Sequence, residues 1–418
     1  MMALALIALI FGLLFLRVSL VWVLMAAAAF AHLVWGGGNI EFFVQDVWSA
    51  MDRSLLLAIP LFVLVGQIMG RGSIAKRLIA VIVEITRPFP GGLAMATVLS
   101  CAMFSAISGS SIVTMLAVGT VLFPALIANG YSRRFAIGSL CAGGTLGIVI
   151  PPSLPLILYG IVTESSITDL FLAGVGPGIL LTIAFTIYAV IINRNIPRGQ
   201  FSFAVTLEAF KQGVPAILMP VILLGGIYSG KFSPTEAAAV AILYALIVET
   251  VLYRELGLKD YAETAVDAGK LVGALFPLIA VAASVNHLLT ENRVPQDLIA
   301  FALANVETPA VFILLVNGLL LIMGLFMDTG SAIVIAAPLL RPLAEAYAFN
   351  STHFGIIMIL NLEIGILTPP FGLNLIVAMT AFNEKFGFIC RSVVPWILIM
   401  LVCLLLVTFI PWIALALL

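Results

Sequence analysis

The sequence contains few charged residues. Lysine, arginine, aspartate and glutamate make up 9% of its 418 residues, whereas hydrophobic residues make up 63%. Soluble domains carry about 25% charged residues, so this composition excludes a soluble protein. Apolar runs of about 18 residues or more, the length that crosses a bilayer, recur from end to end. The sequence therefore predicts an all-α polytopic membrane protein.

A basic excess, a metal-binding pattern and a catalytic motif are also missing. The formal net charge is −1, so we expect no nucleic-acid partner. The three histidines are scattered, and the four cysteines stand in apolar segments without metal-ligand spacing. A phosphate-loop match at 225–231 fails because Phe232 stands where Ser or Thr is required. We expect neither an enzyme nor a resident cofactor.

The chain does contain a duplicated polar element. Residues 147–153 read Gly-Ile-Val-Ile-Pro-Pro-Ser, and residues 365–371 read Gly-Ile-Leu-Thr-Pro-Pro-Phe, 218 positions later. Each element follows a turn of hydroxyl residues and glycine, at 105–111 and at 327–331. Unsatisfied polar groups cost several kcal/mol each in lipid, so these segments are expected to serve a function.

The distribution of lysine and arginine predicts the topology. Sorting the loops places 15 of the 19 basic residues on one side, which the positive-inside rule assigns to the cytoplasm, with both termini outside. Arg53, Lys231, Arg293 and Arg341 remain outside. Amphipathic connectors at 37–52, 73–88, 201–212 and 257–268 are expected to lie in the interface. The predicted spans are 2–16, 18–35, 54–70, 91–107, 110–128, 135–162, 169–193, 214–229, 234–253, 269–290, 308–326, 331–348, 354–382 and 392–417.

Two pairs of these spans return to the side from which they started. The segments 91–130 and 308–348 are each either two short spans or one re-entrant hairpin. Their turns carry no basic or aromatic interface anchor, which favours hairpins lining a buried site. Each half then crosses the membrane five times, so the second half, 214–418, is inverted relative to the first, 1–213. Inverted repeats with interrupted helices, here 135–162 and 354–382, are typical of secondary transporters.

Each hairpin tip and the adjacent broken helix predict a Na⁺ site. Prolines free the carbonyls four residues earlier, and helix ends and hydroxyls supply further oxygens. The alternative is a pair of ordinary proline kinks with small residues that ease helix packing. The first site would contain Ser108, Gly109, Gly147, Ile150 and Ser153. The second would contain Thr329, Gly330, Gly365, Thr368 and Phe371.

Four further residues are candidates for binding a substrate. They are Arg293, Ser110, Ser331 and Asp328. Arg293 could hold a carboxylate bidentately or anchor the chain at the interface. Asp328 could bind a cation, organise the second tip or cap the returning helix. Glu363, in mid-span, could pair with a polar group, carry a proton or make a structural hydrogen bond.

The motifs together resemble the large membrane subunit of tripartite ATP-independent periplasmic (TRAP) transporters, the DctM-like family. Five motifs carry the resemblance, in order and almost from end to end. They are Ser-Gly-Ser-Ser at 108–111, Gly-Gly-Thr-Leu-Gly-Ile-Val-Ile-Pro-Pro-Ser at 143–153, Ser-Pro-Thr-Glu-Ala-Ala-Ala at 233–239, Met-Asp-Thr-Gly-Ser at 327–331 and Gly-Ile-Leu-Thr-Pro-Pro at 365–370.

The resemblance implies an ion-transporter-superfamily fold that works as a sodium-coupled elevator in the bacterial inner membrane. It implies two partners besides the bilayer: a small four-helix membrane subunit, expected here as a separate chain, and a periplasmic substrate-binding protein that delivers an organic acid, such as a C4-dicarboxylate or sialic acid. The family places Na⁺ at both tips and implicates an arginine at the position of Arg293 in binding the acid. The alternatives are a stand-alone Na⁺-coupled dicarboxylate carrier and a non-transporting scaffold subunit.

Overall fold

The fold is that of a computed structural model, which describes residues 20–34, 40–370 and 372–418 together with residues 9, 12, 13, 16 and 18. Most of the predicted first span, 2–16, and the basic residue Arg17 lie outside the described residues. Phe371, predicted as a Na⁺ ligand, also lies outside them.

The described residues form helices and no β-strand, which confirms the predicted all-α class. A 3₁₀ turn, Ser54–Leu57, precedes the helix that begins at Ala58, and a π-helical turn, Val248–Leu252, follows the helix that ends at Ile247. Nine helices in the described part are long and apolar enough to cross a membrane. The helices are α1 (Leu20–Val34), α2 (Ile40–Met51), α3 (Ala58–Arg71), α4 (Ile74–Thr86), α5 (Gly92–Ser108), α6 (Ser111–Ala128), α7 (Arg133–Val149), α8 (Leu154–Thr163), α9 (Ile167–Ile192), α10 (Phe203–Tyr228), α11 (Pro234–Ile247), α12 (Leu258–Glu291), α13 (Val294–Asn305), α14 (Pro309–Phe326), α15 (Thr329–Ala346), α16 (Ser351–Leu367), α17 (Leu373–Phe382), α18 (Phe386–Phe409) and α19 (Trp412–Leu415).

Of the four predicted connectors, two contain helices of their own, α2 within 37–52 and α4 within 73–88. The other two are wrong as separate interfacial helices. The segment 201–212 continues into the following span as the 26-residue helix α10, and 257–268 continues into the 34-residue helix α12. Gly213 and Gly269 stand at the junctions, and an isolated glycine weakens a helix without ending it. Pro215, two residues after the first junction, is also accommodated inside α10. The predicted division of the chain after residue 213 consequently falls inside α10.

Polar side chains mark where the central helices begin. The hydroxyl of Ser132 accepts a hydrogen bond from the Phe135 amide at the start of α7. Asn350 caps α16 by accepting from the amides of Thr352 and His353. Side-chain caps of this kind satisfy amides that have no partner within the helix. A capping box is present at the start of α11, where Ser233 and Glu236 are bonded reciprocally.

The second half of the chain repeats the elements of the first. Helices α6 and α15 begin at Ser111 and Thr329, 218 positions apart, and both have 18 residues. Helices α7 and α16 keep this offset and both have 17 residues, and α8 and α17 both have ten. Helices α5 and α6 form hairpin 1 and α7 and α8 form broken helix 1. Helices α14 and α15 form hairpin 2 and α16 and α17 form broken helix 2.

The two broken helices run antiparallel. The Tyr159 hydroxyl, near the end of broken helix 1, donates to the Ser351 carbonyl at the start of broken helix 2 (2.9 Å). At the opposite end, Arg133 in the first turn of α7 pairs with Glu384, just beyond α17. The start of each broken helix therefore lies beside the end of the other, as an inverted repeat requires.

Helices α3 and α12, which precede the hairpins in the two copies, are also antiparallel. Arg71, the last residue of α3, pairs with Asp260 (3.8 Å) and Glu263 in the first turns of α12. At its other end, α3 is preceded by Arg53, which lines a cleft with His287 near the end of α12.

The structure groups the basic segments as the topology prediction requires. Arg77 lies 3.7 Å from Glu255, joining the start of α4 to the segment before α12. The Arg134 guanidinium donates to the Arg391 carbonyl (2.7 Å). These contacts link segments that were all predicted to be cytoplasmic.

The broken helices form the centre of the molecule. All residues of α16 from His353 to Leu367 are buried, and 83% of the most apolar 18-residue window within 133–163 is buried. Both hairpins end against these helices, with Ser108, Ser111 and Thr329 all buried at their tips. The tips thus lie in the protein interior, as expected of re-entrant hairpins.

Candidate functional site

Tip 1, residues 108–111, docks against the break in broken helix 1. Gly109 has a left-handed backbone (φ 60°), which glycine adopts without steric cost. Its carbonyl accepts a hydrogen bond from the Leu154 amide (3.3 Å), and a methyl group at Gly109 would lie 3.0 Å from the Pro152 carbonyl oxygen. The contact fixes the tip beside the backbone that Pro151 and Pro152 interrupt.

Hydroxyl and carbonyl oxygens converge at this tip. The Ser108 and Thr114 hydroxyls are 2.6 Å apart, and Ser108 Oγ also donates to the Ser110 carbonyl (3.4 Å). A methyl group at Gly147 would lie 2.6 Å from the Ser110 carbonyl oxygen and 2.7 Å from Thr114 Oγ1. Gly147 is therefore the surface of α7 on which these oxygens rest.

Of the five residues predicted for the first site, the structure brings four to this place. Ser108, Gly109 and Gly147 meet as described, and Ser153 is fully buried and caps α8 by accepting from the Leu156 amide. Ile150 ends α7 at the break, and its side chain packs towards Gly178 of α9. The sequence interpretation missed Thr114. The only signal in the sequence was its hydroxyl, which lies one helical turn after Ser110.

Tip 2, residues 327–331, is built differently. Asp328 caps α15, and Gly330 lies inside its first turn. With the 218-residue offset, Asp328 corresponds to Ser110, and the counterpart of Gly109 is Met327. Gly330 corresponds to position 112 of the first copy, not to Gly109. An alignment that pairs Gly109 with Gly330 is therefore wrong by three residues.

The residues of the predicted second site do not meet at a single point. Thr329 Oγ1 donates to Glu363 of α16 (2.9 Å), whereas Gly330 faces Leu158 and Leu275. Gly365 packs against Gly324 of α14, where a methyl group would lie 2.5 Å from the Gly324 Cα. The Thr368 hydroxyl, at the end of α16, donates to the Ile364 carbonyl of that helix (2.6 Å).

Glu363 is a fully buried acid beside tip 2. Its Oε1 accepts from Thr329, and its Oε2 has no hydrogen-bond partner among the described residues. The residue at the equivalent position of the first copy is Thr145, which bonds only to the Ala142 carbonyl within its helix apart from a long contact to Met400. The fold accepts a neutral side chain at this position, so the acid distinguishes the second tip from the first.

The four candidate substrate residues do not form one cluster in this conformation. Asp328 accepts from the Ser331 amide and hydroxyl, so the contacts show the capping role, and Ser331 is buried. Ser110 is half-buried at tip 1. Arg293 is exposed, has a left-handed backbone (φ 57°), precedes α13, and its guanidinium has no ion-pair partner in the described part of the chain.

Comparison with known proteins gives the family. A family model described as "Tripartite ATP-independent periplasmic transporter, DctM component" matches residues 7–413. The C4-dicarboxylate TRAP transporter large permease protein DctM of Vibrio cholerae is 37% identical, over 93% of this chain and 92% of that protein. The isethionate TRAP transporter permease protein DctMQ of Oleidesulfovibrio alaskensis is 36% identical, over 93% of this chain and 62% of that protein.

A solved structure shares the fold. The YdaH transporter of Alcanivorax borkumensis superposes with a TM-score of 0.65 at 14% identity, over 89% of this chain and 87% of that one. The matched families and relatives are multi-pass transporter subunits rather than enzymes. The chain belongs to the DctM family of large permease components of tripartite ATP-independent periplasmic transporters.

Proposed function

We propose that this chain is the large permease subunit of a Na⁺-coupled transporter that imports an organic acid across the bacterial inner membrane. The observation that carries the proposal is the meeting of two buried hairpin tips with two antiparallel broken helices. Secondary transporters place their substrate and coupling-ion sites at such a repeat interface.

Tip 1 supports Na⁺ as the coupling ion. Its oxygens are neutral hydroxyls and carbonyls from Ser108, Ser110 and Thr114, close to Gly147 and Ser153. Hard cations prefer oxygen ligands. No group of three or more histidine, cysteine or acidic residues that could hold a metal ion occurs in the described part of the chain. This set fits a monovalent cation, with Gly109 and Ile150 contributing backbone oxygens.

At tip 2 we propose a second Na⁺ site around Thr329, Gly330, Gly365, Thr368 and Phe371. The buried carboxyl of Glu363 next to Thr329 supports a cation here, because its Oε2 has no hydrogen-bond partner among the described residues and a cation would offset the cost of burying its charge. This site would need Gly365 and Thr368 to turn their oxygens towards the tip.

The proposed cargo is a carboxylate that binds between the tips near Ser110, Asp328 and Ser331. Arg293 would form an ion pair with this carboxylate. The N-terminus of α6 at tip 1 has no side-chain cap and favours an anion, whereas Asp328 already caps α15 at tip 2. The relatives named for C4-dicarboxylate and isethionate are nearly equally similar to this chain, so overall identity does not select between cargoes.

We further propose that the hairpins and broken helices move as an elevator against a scaffold containing α3 and α12. A small four-helix membrane subunit would extend that scaffold, and a periplasmic binding protein would deliver the acid. One relative is named DctMQ, and this chain covers 62% of its length. The combined name supports a second membrane component of the transporter.

Reconstitution tests the proposal. Proteoliposomes containing the permease and its small subunit should take up a labelled carboxylate from a panel only with the binding protein present and an inward Na⁺ gradient. Uptake without the binding protein would instead indicate a stand-alone carrier, and absence of uptake for every acid would favour a non-transporting scaffold.

A further inference from the structure

A cleft of about 320 Å³ opens between α12 and the hairpin 2–broken helix 1 pair. It lies at the end of the molecule that holds Arg53 and Arg341, two of the few basic residues assigned to the outside. One wall consists of α12 residues with Arg53, and the other consists of the end of α8 and the middle of α15. Its size is in the range of small-molecule sites.

Two arginines face each other across this cleft. Arg53 pairs with Glu164 just beyond α8, with Nη2 3.2 Å from Oε1. Arg341 donates from Nη1 to the Thr163 carbonyl and from Nε to Glu345 (2.8 Å). Side-chain exposure is 46% for Arg53 and 74% for Glu164, so water screens this pair and a competing carboxylate can replace Glu164.

The cleft also has neutral and titratable polar groups. Asn286 and Thr290 line the α12 wall beside His287. His287 Nδ1 lies 2.9 Å from Asp46 Oδ1, and its Nε2 lies 3.7 Å from Glu291. Glu164 and Glu345 are each paired with one of the two arginines, and each arginine keeps further N–H donors for a ligand.

The same three helices that wall the cleft converge at tip 2. Gly330 of α15 faces Leu158 of α8 and Leu275 of α12, each 3.4 Å from the position of an added methyl group. Along α15, the cleft residue Pro338 is eight positions from Gly330, which is about 12 Å in a helix. Leu158 and Leu275 therefore lie between the cleft and the tip.

We propose that this cleft is an outward waiting site for a small aliphatic carboxylate, held by Arg53 and Arg341, before it passes Leu158 and Leu275 to tip 2. The inference rests on the proposed function, since it assigns the substrate's first contact on the permease. The planar guanidinium fork matches a carboxylate bidentately, and two arginines on opposite walls suit a dicarboxylate.

Protection of a cysteine tests the site directly. In a Cys390→Ser background, Ala283→Cys places a thiol on the α12 wall, and Ser229→Cys places a control thiol in an exposed turn. Labelling with a soluble maleimide is timed in Na⁺-free potassium buffer with succinate or with neutral succinamide. At a succinate concentration about ten times the half-protecting one, labelling at position 283 should slow about tenfold, because only the unoccupied fraction reacts.

Succinamide should protect neither thiol, and succinate should not protect position 229. Adding Arg53→Gln and Arg341→Gln should abolish the protection while monodisperse elution shows that the protein remains folded. Equal labelling with and without succinate, or protection that survives loss of both arginines, would overturn the proposal. Because the assay omits Na⁺ and transport, failure of Na⁺-driven uptake with protection intact would count against the proposed function alone.

Discussion

The Ser108 hydroxyl lies 2.6 Å from the Thr114 hydroxyl across the tip of hairpin 1. This short contact joins the end of one arm to the first turn of the other. Both side chains are buried, next to the Ser110 carbonyl and against Gly147. Substitution of these two residues therefore tests the proposed first Na⁺ site.

Removing either hydroxyl should weaken Na⁺ binding. We expect Ser108→Ala and Thr114→Val each to raise the half-saturating Na⁺ concentration about tenfold, as loss of about 1.4 kcal/mol of ligand contact would do. Thr120→Val is the matched control, because Thr120 lies on the same helix and bonds only to the Ala117 carbonyl. Na⁺-dependent thermal stabilisation of purified protein is the measurement, and equal shifts in all three variants would contradict the assignment.

Adding a methyl group at Gly109 should disturb tip 1. Gly109→Ala puts a side chain on a left-handed backbone and against the Pro152 carbonyl, whereas Gly130→Ala adds it at φ 79° with no atom within 4 Å. Left-handed geometry alone costs about 1–2 kcal/mol, so both variants should lose some thermal stability. Only Gly109→Ala should also abolish Na⁺-driven uptake. Similar uptake by the two variants would show that tip docking is unimportant.

Thr329 and Glu363 should be energetically coupled. Thr329→Val leaves the Glu363 carboxyl without its one described partner, and we expect a loss of about 1–3 kcal/mol of unfolding free energy. In a Glu363→Leu background the same substitution should cost much less, because the buried acceptor is gone. Chemical denaturation of the four proteins of this cycle gives the coupling energy. Additive effects would mean that the hydrogen bond does not stabilise the protein.

The sequence was sufficient for the hairpins and broken helices, but not for the continuous helices α10 and α12 or for the register of the two tips. The double prolines and the hydroxyl-rich turns predicted both hairpins and both broken helices, because these signals are local. The contact of Gly365 with Gly324 and the turning of Gly330 towards Leu158 depend on which helix packs beside which. The similarity of the Ser108-Gly109 and Thr329-Gly330 turns does not indicate which helices pack beside them.

The predicted topology can be checked by labelling. In a Cys390→Ser background, Lys231→Cys should react with an impermeant maleimide on intact cells, whereas Lys259→Cys should react only after permeabilisation. Both positions are exposed, so access to the reagent is set by the membrane. Reaction of Lys259→Cys in intact cells would reverse the assigned sides.

The elevator can be tested by two cross-links. A bridge between Leu275→Cys and Gly330→Cys joins α12 to tip 2 and should block uptake until reduced. A bridge between Ser165→Cys and Ser351→Cys, whose native hydroxyls are 3.3 Å apart, joins two parts of the proposed moving unit and should leave uptake intact. Uptake by the first cross-linked protein would argue against relative motion of α12 and hairpin 2.

Uptake of a labelled acid under a Na⁺ or a K⁺ gradient tests directly whether Na⁺ drives transport through tip 1. Proteoliposomes with the permease, the small subunit and the binding protein are compared under an inward Na⁺ gradient and an equal inward K⁺ gradient, with Ser108→Ala alongside. We expect accumulation above equilibrium with Na⁺ only, and a requirement for more Na⁺ in the variant. Equal accumulation with K⁺, or an unchanged Na⁺ requirement in Ser108→Ala, would contradict it.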